Sequence, residues 1–168
     1  FDANYAKHAG VTIASVVKET RSAPVEFVIV HEGVGAELRK QVEACGRGAK
    51  FTWFEISNSR LLRLPGVDHI SRATFFRFAL TEVLPPECNR VVYLDCDLIT
   101  LRDLEYLWRY DLKGAALAAA VDPGVDPEAF ARLWNLPPSS LGYFNAGVLI
   151  LDIARIRADR VFDRAVSL

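Results

Sequence analysis

The chain has 168 residues, 51% of them hydrophobic and 24% charged, with a formal net charge of -1 and a sequence pI of about 6.4. This is the size of one domain with room for a real core, and the composition excludes collagen-like, low-complexity and wholly disordered readings. Near-neutral charge argues against a nucleic-acid partner gripped by its phosphates, and the longest apolar run, residues 115–121, is far too short to cross a bilayer.

Three cysteines, Cys45, Cys88 and Cys96, show no C-x-x-C and no metal-ligand spacing. An odd count in a chain of this size reads as buried reduced thiols, which points to a cytoplasmic setting. The opening Phe1-Asp2-Ala3-Asn4 has neither the basic flank nor the apolar stretch of a signal peptide. The chain contains no Met, and we expect its start to be truncated.

Along the chain, strand and helix patterns alternate. Asn4 reads as an N-cap, and Ala9, Thr12, Ile13, Val16 and Val17 then form a helical stripe. Residues 25–30 are a mostly apolar run, which predicts a strand covered on both faces. Residues 33–44 read as helix, 50–56 as strand, and 57–71 as a loop broken by Pro65-Gly66. Residues 73–83 read as a helix that Pro85-Pro86 ends. Residues 90–94 predict a strand, and 104–110 one or two helical turns. Residues 115–121 admit either element, with Gly114 and Pro123 at the borders favouring a strand. A short helix at 127–133, a strand at 144–151 and an amphipathic helix at 153–167 complete the order. The alternation predicts an α/β fold with a mostly parallel sheet, helices on both faces, and one domain over residues 1–168.

The most informative segment is Arg90-Val-Val-Tyr-Leu-Asp95-Cys96-Asp97. A buried strand runs into two aspartates at i and i+2, which in extended chain point the same way. Ligands of open α/β sheets collect beyond the carboxyl ends of the strands. Two hard oxygen donors there suit Mg²⁺ or Mn²⁺, whose shells are completed by water and substrate phosphates. Cys96 between them reads as a small buried filler.

Tyr93-Leu-Asp-Cys-Asp97 resembles the Asp-x-Asp segment of GT-A glycosyltransferases. More narrowly, it resembles glycosyltransferase family 8, which includes bacterial lipopolysaccharide galactosyl- and glucosyltransferases and glycogenin. Three further segments fit that family in order: Asp2-Ala-Asn4-Tyr5, His69-Ile-Ser-Arg-Ala-Thr-Phe-Phe-Arg77-Phe, and Tyr143-Phe-Asn145-Ala146-Gly147-Val-Leu-Ile-Leu. The resemblance implies a GT-A, Rossmann-like fold, truncated at both ends, with the acceptor-binding part missing. It implies transfer of a hexose from a UDP-hexose to a hydroxyl of a saccharide or lipid-linked saccharide, with retention at the anomeric carbon. Asp95 and Asp97 would hold Mn²⁺ or Mg²⁺. Asp2 and Asn4 would read the uracil, with Tyr5 stacked on it. Arg77, Asp95, Cys96, Asp122, Asn145 and Ala146 would contact the donor, and His69 the acceptor. Gly147 permits close approach of backbone or ligand. A cytoplasmic protein, peripheral at the inner membrane through the missing part, also follows from the resemblance.

Other readings of the same residues stay open. Asp2 and Asn4 serve equally as helix caps, and Arg77 as one half of a surface salt bridge. Asp152 reads as the cap of the last helix, without chemistry. Ile153, Ile156, Val161, Phe162 and Val166 form a stripe in need of a partner, so we expect self-association through the truncated side. A non-catalytic nucleotide-sugar-binding fragment is one alternative function. A haloacid-dehalogenase-like phosphatase is another, disfavoured because Ile99 stands where that pattern has Thr or Val and at least two strands precede the motif.

Overall fold

A computed structural model describes residues 1–56, 72–135, 137 and 142–167. A 3-10 turn, Ala3–Tyr5, leads into α1, Ala6–Glu19. The helix entrance is capped by Asp2, not Asn4: the Asp2 Oδ1 accepts the backbone N–H groups of Asn4 at 2.9 Å and Tyr5 at 3.3 Å. Then come β1, Glu26–His31; α2, Ala36–Cys45; and β2, Lys50–Glu55. Residues 72–79, the expected start of a regular helix, wind as a 3-10 helix, and α3 occupies only Leu80–Val83. The chain continues through β3, Arg90–Leu94; α4, Glu105–Trp108; β4, Leu117–Val121; and α5, Pro127–Leu133. It ends with β5, Phe144–Asp152; α6, Ile153–Ala158; and α7, Val161–Val166.

The α/β alternation holds, and β1 pairs with β2 in parallel from Glu26↔Lys50 to His31↔Glu55. The second group of strands has the order β3-β5-β4, and β5 runs antiparallel to both neighbours. The parallel pairing expected of the sheet is seen at β1-β2, and the antiparallel course of β5 is a feature the sequence pattern did not carry. An apolar run carries no direction, so strand polarity is set by connections that periodicity does not report. The reversal matters for function. It brings the amino end of β5 to the edge where β3 and β4 end. A register shift between Ala119 and Ala120 leaves Ala146–Val148 of β5 without β4 partners.

The main core joins Leu80 and Leu84 to Leu149, Leu151, Ile153, Ile156 and Phe162. Leu151 and Ile153 are fully buried, and each contributes about 1.5–3 kcal/mol by leaving water. The expected long final helix is broken: Arg160 sits at φ 51° between α6 and α7. The reason lies in spacing, since Ile156 and Val161 are five apart and cannot share one helical face. With the break, Ile153, Ile156 and Phe162 all enter the core, so the stripe finds its partner within the chain. Large exposed apolar side chains lie elsewhere, at Ile99, Leu101, Tyr106 and Trp108. Asp152 caps α6 as expected, accepting Arg155 N–H at 2.9 Å. Arg157 closes the other end of the neighbouring helix by donating to the Leu84 carbonyl at 2.6 Å and the Thr81 carbonyl at 3.3 Å. All three cysteines are free, but none is fully buried and Cys45 is exposed, which corrects the reading of buried thiols.

At the carboxyl end of β1, His31 is completely buried. Its Nδ1 accepts the Val34 N–H at 3.3 Å, and the ring meets Trp53 edge-on at 5.5 Å. Burial, then the Arg39 charge, hold its pKa below the ordinary value of 6.5, partly offset by Glu55. The folded state therefore binds this proton less readily than the unfolded chain. Stability from neutral His31 is complete above about pH 6.5 and falls as pH drops toward the depressed value. Thermal melts from pH 7.5 to 5 should show this loss. The slope should flatten in His31→Asn, which keeps an acceptor but does not titrate.

Candidate functional site

The site gathers at one end of both groups of strands. β3 stops at Leu94, and directly after Asp95 the chain turns at Cys96-Asp97 rather than continuing extended. The two acids therefore owe their placement to the turn and not to period-two geometry. Asp95 N–H donates to the Gly147 carbonyl at 2.8 Å. Asp97 is exposed. Both line a cleft of about 1190 Å³ together with Asp2, Tyr5, Thr12 and Arg77, over an apolar lining that includes Val28, Val30 and Val91.

Arg77 is the hub of the site. It is 8% exposed, and its Nε donates to the Thr74 carbonyl at 2.8 Å. Its Nη1 donates to the Ala146 carbonyl and its Nη2 to Asp95 Oδ1 at 3.4 Å. The guanidinium carbon lies 4.8 Å from the centre of the Tyr93 ring, in cation–π range. Tyr93 in turn donates its hydroxyl to the same Asp95 Oδ1 at 2.7 Å. Burial raises the Tyr93 pKa far above its ordinary value, so the phenol stays a donor. Arg77 is thus neither half of a surface pair nor an unattached cation: it ties β3 to β5 and fixes Asp95.

With Oδ1 held, the second oxygen of Asp95 is turned toward β5. A Cβ built on Gly147 would lie 3.0 Å from Asp95 Oδ2 and 3.1 Å from Asn145 Oδ1. Glycine is what lets both groups approach this stretch of backbone. The Asn145 Oδ1 accepts the Gly147 N–H at 2.9 Å. Asp122 follows β4 directly. Its N–H donates to the Tyr143 carbonyl at 2.9 Å, and its Oδ1 accepts from Gly124 at 3.0 Å. The register Ala120↔Asn145 and Val121↔Phe144 sets Asp122 and Asn145 at the same sheet edge.

At the β1 side, Asp2 forms a parallel bridge with Glu32, and Tyr5 is 45% exposed, its ring 5.3 Å from His8. Asn4 is exposed. Cys96 is half-buried, and burial pushes its thiol pKa up, away from thiolate chemistry. His69 lies outside the described residues. The structure therefore brings Asp2, Tyr5, Arg77, Asp95, Cys96 and Asp97 to one cleft and attaches Asn145 and Ala146 through Gly147 and Arg77. Reading the sequence missed Tyr93 and Thr12; only the alternation of β3, which places Tyr93 and Asp95 on one side, hinted at the first.

Among the described residues, no three His, Cys, Asp or Glu side chains form a complete metal site. Two carboxylates are nonetheless a donor set that Mg²⁺ or Mn²⁺ accepts, because such ions usually retain water and bind substrate phosphates. Asp95 Oδ2 and the exposed Asp97 carboxylate fit that partial shell.

Comparison with known proteins defines the class. The family model described as glycosyl transferase family 8 matches residues 1–168, and the chain belongs to this family. It is 31% identical to the lipopolysaccharide 1,2-glucosyltransferase of Escherichia coli K12, over 99% of this chain and 50% of that protein. It is 26% identical to the lipopolysaccharide 1,3-galactosyltransferase of Salmonella typhimurium, over 99% of this chain and 51% of the relative. The crystal structure of the galactosyltransferase LgtC with donor and acceptor sugar analogs superposes with a TM-score of 0.81. That match has 27% identity and covers 94% of this chain and 58% of that one. The chain thus spans about half the length of the curated relatives it matches. The GT-A fold follows from these matches, and the phosphatase reading falls with them. No helix among the described residues is long and apolar enough to cross a membrane.

Proposed function

We propose that this chain forms the donor-binding part of a metal-dependent, retaining hexosyltransferase that uses a UDP-hexose. The observation that carries the reading is the convergence of the acid pair, Asp2 and Tyr5 on one cleft, with Asn145 joined to Asp95 across Gly147. Tyr5 offers an exposed ring face for the uracil. Asp2 has Oδ2 available for the base edge while Oδ1 caps the helix. Asn145 keeps its amide donors, and Asp122 keeps Oδ2, for sugar hydroxyls, with Ala146 beside them. Asp95 and Asp97 would hold Mn²⁺ or Mg²⁺, which supplies charge neutralisation to the departing diphosphate. Arg77 acts on the donor through Asp95, by fixing the carboxylate and adding positive potential beside it. The remaining rate enhancement comes from holding the sugar in place at the sheet edge. The acceptor would be a saccharide or lipid-linked saccharide, consistent with the lipopolysaccharide enzymes it is similar to.

Calorimetric titration with UDP, UDP-glucose and UDP-galactose, with and without Mn²⁺, tests the reading. We expect binding that depends on Mn²⁺. Equal binding with and without the metal, or none with it, would sink the proposal. Metal-dependent binding without hexose release would favour the alternative, a non-catalytic nucleotide-sugar-binding unit.

A further inference from the structure

Helix α1 and the segment that follows the acid pair are stitched together by hydroxyls. Thr12 is 5% exposed. Its single proton is shared between the Cys96 and Leu98 carbonyls, each 2.8 Å from Oγ1. The same oxygen accepts the Leu98 N–H at 3.2 Å. These contacts bracket Asp97 on both sides. One turn along the helix, Ser15 Oγ accepts the Thr100 N–H at 2.9 Å and donates to the Thr12 carbonyl at 2.7 Å. Beyond the helix, the Ser22 hydroxyl and the Arg21 N–H donate to Asp103 at 3.1 Å each. Residues three apart on a helix share a face, so Thr12 and Ser15 form a polar seam against residues 96–100.

We propose that Thr12 is a positioning residue for the acidic pair: its hydroxyl fixes the backbone on either side of Asp97 and so presents that carboxylate beside Asp95. The proposal rests on the metal-binding reading of the pair. The physical need is clear. Asp97 is exposed, and neighbouring carboxylates repel, so an unrestrained turn would carry them apart. Ion binding would then include the cost of reordering the turn, a cost removed when the backbone is held in advance. Because Thr12 is on the helix whose entrance carries Tyr5, the same element sets the spacing between base contact and metal ligands.

Thr12→Val keeps size and branching but removes the hydroxyl; Thr12→Ser keeps the hydroxyl. Mn²⁺ titration of the chain, alone and with UDP, should show about 10-fold weaker metal binding for Thr12→Val. Thr12→Ser should stay within about 2-fold of the parent. Metal-free affinity for UDP should not move. Wild-type metal affinity in Thr12→Val overturns the proposal. So does a Thr12→Ser variant as weak as Thr12→Val, or an equal loss with and without metal. Should Thr12→Val fail to fold, Thr12→Ala takes its place in the comparison. Failure of the parent chain to bind Mn²⁺ or UDP would instead bring down the site reading, and the proposal with it.

Discussion

Replacing either acid of the pair with its amide should abolish metal-dependent UDP binding, yet the two changes should differ in stability. Asn preserves shape and removes one negative oxygen from the shell of a hard cation. The expected loss of metal affinity exceeds the roughly 10–100-fold typical of outer contacts. Asp97 is exposed and its side chain makes no hydrogen bond or ion pair among the described residues, so Asp97→Asn should leave the melting temperature unchanged. Asp95→Asn also weakens the pair with Arg77 and should melt lower. Titration with UDP and Mn²⁺, alongside a thermal melt, separates the cases. Retained metal dependence in both variants would contradict the assigned ligands.

The second large effect concerns Arg77. Its side chain is 10% exposed while that of Asp95 is 38% exposed, so the pair is only partly shielded from solvent. Removing one member of a fully buried pair costs about 3–5 kcal/mol; here about 2–3 kcal/mol is the expected loss for Arg77→Met, allowing for that exposure. In a domain of this size that lowers the melting temperature by roughly 4–12 °C. Arg77→Lys should rescue little, because an ammonium cannot span the Thr74 carbonyl, the Ala146 carbonyl and Asp95 from one planar fork. Metal affinity should fall in both variants, since Asp95 loses one of its two side-chain donors. A Lys variant with parental stability and affinity would mean that charge alone, without geometry, suffices.

Much of this was legible in the sequence, and the residues show why. The strand at 90–94 announced itself by the apolar run 91–94 closed by acids, and the sheet-end rule then located the cleft. Gly147 carried its own signal, a strand glycine two residues after Asn145. What escaped was long-range. Thr12 looked like a spacer in a helical stripe, because nothing in its neighbourhood reveals two carbonyls from more than eighty residues downstream. For Arg77, a local window holds neither Asp95 nor Ala146, so its bonds to both had no local sign. The antiparallel course of β5 had no local sign at all. The break before α7 did have one, in the five-residue gap from Ile156 to Val161.

The register shift in β5 has a further implication for how sequence length can vary. Residues 146–148 owe nothing to β4, and their carbonyls at Ala146 and Gly147 instead receive Arg77 and the Asp95 N–H. Adding or removing one residue there would flip the pleat of Leu149-Ile150-Leu151, turning core side chains outward, and would also strip two anchors from the site. This short stretch must keep its count, because a single irregularity sets the packing of the interior and the aim of the chemistry together.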